Sequence, residues 1–97
     1  MAYVIRIDGL AGGRSPFDGE YLLEYDPERD GRDPQGAPMI AHIVTTAKLE
    51  EALRFDSGTD ATECWRQVCK RNPTRPDGQP NRPLSAFTVT IAPEEKM

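Results

Sequence analysis

The chain has 97 residues, of which 37% are hydrophobic and 29% charged, and a formal net charge of −4. This is one domain, 1–97, with a modest core. No apolar run reaches the roughly eighteen residues that a membrane helix needs. The N-terminus has no apolar signal core, so a cytoplasmic protein is expected.

Acid and base are unevenly placed. Residues 1–63 carry thirteen acidic against six basic side chains, and residues 64–97 carry six basic against three acidic. The acidic half opposes nonspecific binding to nucleic acid.

Tyr3 to Asp8 alternates, with Tyr3, Ile5 and Ile7 on one face, and predicts a first strand. Gly9 to Asp18 reads as a surface loop. It lacks both the Gly-Lys-Ser/Thr ending and the spaced glycines of a phosphate-cradling loop. Glu20 to Tyr25 predicts a second strand, with Tyr21, Leu23 and Tyr25 sharing a face.

Asp26 to Pro38 is polar and rich in proline and glycine. Asp26-x-Glu28-x-Asp30-Gly31 mimics the start of a calcium loop, but Ala37 stands where the bidentate acid is due. No metal is expected, and no Cys/His set has zinc spacing.

Met39 to Val44 predicts a third strand, apolar on both faces except for His42, and suited to a central position. His42 is the only histidine. As a catalytic base it would need a nucleophile such as Ser57 or Ser85 and an orienting acid beside it. No motif supports that convergence, and no catalytic residue is assigned.

Thr46 can cap a short helix whose apolar side is Leu49, Ala52 and Leu53. Asp60-Ala61-Thr62-Glu63 fits a capping box for a second helix. Its stripe would be Ala61, Cys64, Trp65, Val68 and Cys69, ending before Pro73. Cys64 and Cys69 point about 140° apart on such a helix, which predicts buried free thiols.

Asn72 to Pro83 holds four prolines, and Pro76-Asp77-Gly78 is a turn signal. Ala86 to Ile91 then alternates, with Phe87, Val89 and Ile91 facing the core and Thr88 and Thr90 facing solvent. The predicted order is β-β-β-α-α-β. The class is α+β: a mainly antiparallel four-stranded sheet with two helices on one face.

Several segments together resemble small uncharacterised proteins of bacteriophages and prophages. They are Gly19-Glu20-Tyr21-Leu22 with Tyr25-Asp26-Pro27, Ala52-Leu53-Arg54-Phe55, Cys64-Trp65-Arg66, and the distinctive run from Arg75-Pro76-Asp77-Gly78-Gln79-Pro80 to Ala86-Phe87-Thr88-Val89. The resemblance implies a phage setting and no established activity.

Two functions follow as expectations. The first is a non-enzymatic binding protein, a phage accessory protein that binds or masks a host factor. The second is a small-molecule binder in which Arg66, Lys70, Arg71, Arg75 and Arg82 pair with a nucleotide or other phosphorylated ligand. Neither needs a cofactor. Pairing of exposed sheet edges is a route to a homo-oligomer in both.

Overall fold

Tyr3–Leu10 forms β1, a strand that joins two halves of a sheet. The computed structural model describes residues 2–10, 13–39 and 41–97. Ile40, expected in the third strand, and Gly12 of the glycine loop lie outside the described residues.

The remaining strands are β2 (Tyr21–Asp26), β3 (Gly31–Arg32), β4 (Pro38–Met39), β5 (His42–Thr46) and β6 (Phe87–Pro93). Four of them make an antiparallel sheet in the order β5-β2-β1-β6, while β3 and β4 form a separate small hairpin. An α+β fold is therefore present, with a different internal arrangement from the one expected. The expected third strand is split, with Pro38–Met39 pairing with β3. Its remainder, β5, is an edge strand and not a central one. Its two apolar faces find cover because β3 packs against it. A Cβ on Gly31 would lie 2.5 Å from the Ala41 carbonyl oxygen, so only glycine allows this approach.

β1 pairs with β6 from Tyr3↔Pro93 to Leu10↔Phe87, but its pairing with β2 is short: Arg6↔Tyr21 is in register, and Ile7 bonds Gly19 and Glu20 just before β2. Where β1 and β2 diverge, an extended segment fills the gap. Tyr3 and Phe55 exchange backbone hydrogen bonds at 2.9 Å, and the Leu53 amide donates to the Leu22 carbonyl at 2.9 Å.

That capture explains why the first expected helix is a single 3-10 turn, Leu49–Glu51. Thr46 does accept the Lys48 amide at 3.1 Å. Beyond Glu51, however, the chain is drawn into the sheet and cannot continue to coil.

The one α-helix among the described residues is α1, Gly58–Trp65. Its N-cap is Ser57, whose Oγ accepts the Asp60 amide at 3.1 Å, so the start is three residues earlier than the expected capping box. The end is also early. Continuing the helix would require the amides of 69, 70 and 71 to bond the carbonyls four residues back. Each has a tertiary partner instead. Cys69 donates to the Asn81 carbonyl at 2.9 Å, and Lys70 and Arg71 both donate to Glu28. The Trp65 carbonyl that Cys69 would have bonded accepts from Ser85 Oγ at 2.9 Å. Val68 and Cys69 thus lie beyond the helix. Both cysteines are free, with Cys69 buried and Cys64 half-buried.

Ile5, Ile7, Leu22, Ala61, Leu84 and Phe87 anchor the core, and the Phe17 and Phe87 rings meet edge to face at 5.7 Å. Leu22, not Leu23, points into it. The register of β2 shifts between Leu22 and Glu24, and this bulge changes which residues face inward. The threonine face of β6 is the more open one. Thr88 is exposed, and Thr90 bonds Arg6 and Asp8 on the adjacent strand. Among the described residues no helix is long and apolar enough to cross a membrane.

Candidate functional site

The Arg/Pro segment is an ordered loop with its own internal ties. The Gly78 amide bonds the Arg75 carbonyl at 2.9 Å, and Gly78 has φ 85°, so the expected turn forms and needs its glycine. Asn81 fastens the base of the loop. Its side-chain amide donates to the Asn72 carbonyl at 2.8 Å, and its backbone amide donates to the Pro73 carbonyl at 2.9 Å.

Beside this loop lies a cleft of about 870 Å³. Its apolar surface comes from Leu10, Met39, Ala41, Ile43, Pro83 and Phe87, and its polar side from Arg75, Gln79, Asn81 and Arg82. Leu10 is 36% exposed, the one large hydrophobic side chain among the described residues that is open to solvent to this degree. Apolar surface next to guanidinium groups suits a ligand that carries an apolar group and an anion side by side.

The five expected ligand residues do not converge. Arg75 and Arg82 line this cleft, while Arg66 and Arg82 line a second one beside Tyr3 and α1. Arg75 Nη2 lies 3.3 Å from Asp77 Oδ2, in an exposed pair that a ligand can replace at little cost. Arg82 Nε is buried without a hydrogen-bond partner.

Lys70 and Arg71 line neither of these clefts, and their backbone amides are held by Glu28. The Glu28 carboxylate accepts the Lys70 amide at 2.6 Å and the Arg71 amide at 2.9 Å. Asp30 adds an ion pair with Arg71 Nη2 at 2.9 Å. Cys69 Sγ donates to the Pro27 carbonyl at 3.0 Å. The Lys70 amide is the largest influence holding the Glu28 carboxyl below its ordinary range. Desolvation opposes it, and the Arg71 amide reinforces it. Two of the three acids that resembled a calcium loop, Glu28 and Asp30, are thus partners of the basic segment in the same chain, while Asp26 accepts the Glu28 amide. The opposite charges of the two segments were visible in the sequence, but their pairing was not.

The candidate nucleophiles have structural partners. Ser57 caps α1, and Ser85 bonds the Trp65 carbonyl. His42 Nε2 lies 3.5 Å from Glu24 Oε1. In the second half of the glycine loop, Asp18 Oδ1 accepts the Ser15 amide at 3.0 Å, and Phe17 is buried. Asn81 and Leu10 are residues of this region that sequence reasoning did not single out, and Glu28 was read there only as part of a failed calcium-loop match. Only Glu28, in an acid run facing a basic run, carried a usable signal.

Comparison with known proteins finds no matching family model, no matching curated protein and no matching solved structure.

Proposed function

We propose that this chain is a non-enzymatic binding protein whose cleft beside the Arg/Pro loop receives a segment of a protein partner. The observation that carries the reading is the juxtaposition of Leu10, Met39 and Phe87 with Arg75 and Arg82 around one cleft. An apolar side chain of the partner buries against the first group, and a neighbouring carboxylate pairs with the second. The prolines of the loop restrict its backbone, so little ordering entropy is lost on binding. The resemblance to small phage and prophage proteins supports the more specific reading of an accessory protein that binds or masks a host factor.

Panning a random peptide library against the immobilised chain tests this. The expected result is a consensus with Asp or Glu beside a large apolar residue, whose capture is lost in Leu10→Asp. A basic consensus, or capture indifferent to Leu10→Asp, overturns it. The alternative, a nucleotide or other phosphorylated ligand, draws on Arg75 and Arg82 sharing the cleft. It predicts thermal stabilisation by nucleotides that disappears in Arg75→Ala.

A further inference from the structure

Glu28 joins two parts of the chain that are forty-two residues apart. It stands just before the β3–β4 hairpin, which leads to Met39 and Ala41 of the cleft. Lys70 and Arg71 stand just before the loop that supplies Arg75 and Gln79 to Arg82. One carboxylate therefore fastens together two of the segments that line the cleft. It does so through backbone amides, which no substitution at 70 or 71 other than proline removes. Beneath it lies the Cys69 thiol, 1% exposed, with Sγ 3.8 Å from Glu28 Oε1.

We propose that Glu28 is an acid-releasable latch that holds residues 26–30 closed over Cys69 and sets the width of the cleft. An ionised carboxylate accepts both amides, whereas a protonated one gives up part of its acceptor strength and presents a hydroxyl. The groups that face Glu28 are the Lys70 and Arg71 amides, the Arg71 guanidinium, the Cys69 thiol and, at longer range, the Tyr25 phenol. Asp30 acts through its pair with Arg71. The surroundings of Glu28 favour its ionised form, so the latch is closed at neutral pH and is lost as pH falls through the lowered carboxyl value. Its effect on ligand binding rests on the cleft reading above, but the opening itself does not.

The test is site-resolved labelling of the full chain with a dithiodipyridine reagent, with rates normalised to free cysteine at each pH. Cys64 serves as the internal control, because it lies on α1 and takes no part in the hydrogen bonds of Glu28 and Cys69 that form the latch. In the wild type at neutral pH, Cys69 is expected to label slowly. Glu28→Gln raises its rate by about tenfold, the population change that follows loss of one charge-assisted hydrogen bond, and leaves Cys64 unchanged. In the wild type the same selective rise appears on acidification well below the ordinary glutamate value of about 4.3, through the range where the lowered Glu28 carboxyl takes up its proton, and Glu28→Gln shows no such response. Equal Cys69 rates in the wild type and Glu28→Gln overturn the proposal. So does a parallel rise at both thiols, which reports general loosening, and so does a full acid response in Glu28→Gln. Should Glu28→Gln fail to fold, the wild-type acid response decides alone: selective exposure of Cys69 supports the latch, and its absence or joint exposure with Cys64 overturns it.

Discussion

The Trp65 indole Nε1 donates to the Phe87 carbonyl oxygen at 3.1 Å, tying the last residue of α1 to the first residue of β6. The helix end is fixed to the sheet at this point, and the Trp65 carbonyl is held in turn by Ser85. Trp65→Phe keeps most of the packing and removes the hydrogen bond. Chemical denaturation should show a loss of about 1 kcal/mol. Trp65→Ala also removes the ring that packs on the core and should cost about 3 kcal/mol.

Asn81→Ala should destabilise by about 1–3 kcal/mol, because the Asn72 carbonyl loses its donor and the base of the loop loses its tie. The measured midpoint in urea checks this. Arg75→Ala, in the same loop, should change stability by less than about 0.5 kcal/mol, since its pair with Asp77 is exposed.

Gly31→Ala should cost about 1–3 kcal/mol, the range for forced overpacking, because the hairpin must move away from β5 to admit the methyl group. Amide exchange should then quicken in β3 and β5 and stay unchanged in β6.

Asp8 predicts an acid-side loss of stability. Partial burial pushes its carboxyl up, but the Thr90 hydroxyl and Arg6 outweigh this and leave it below its ordinary value. A folded-state value below the unfolded one stabilises at neutral pH, and that contribution disappears as pH falls through the lowered value. Stability of Asp8→Asn should therefore depend less on pH in the acid range, while at neutral pH it loses no more than about 1 kcal/mol. Denaturation curves at several acid pH values measure both effects.

The strands β1 and β6 were legible because apolar residues alternate along one face of each, Tyr3, Ile5 and Ile7 in β1 and Phe87, Val89 and Ile91 in β6, although Val4 is also buried on the other face of β1. The class was legible for the same reason. The two helices were overestimated because local patterning is blind to competing backbone partners. Leu53 follows a helical stripe, yet its amide is taken by Leu22. Cys69 continues the α1 stripe, yet its amide is taken by Asn81. The bulge in β2 carries no proline or glycine to announce it. The arginine cluster looked continuous in sequence, and divides because Glu28 and Asp30 hold one end while Arg75 and Arg82 reach the cleft.

The pairing of Tyr3 with Pro93 also sets a schedule for synthesis. β1 emerges from the ribosome before β6, its longest partner strand, which is made some eighty residues later. At an elongation rate of about 5–20 residues per second, an unpaired apolar edge stays open for several seconds. The short β1–β2 pairing around Arg6, Ile7 and Tyr21 covers only part of that edge meanwhile. Contacts this distant also slow closure once the chain is complete. A nascent chain stalled before Phe87 should therefore be prone to self-association, and chaperone demand should peak before β6 appears.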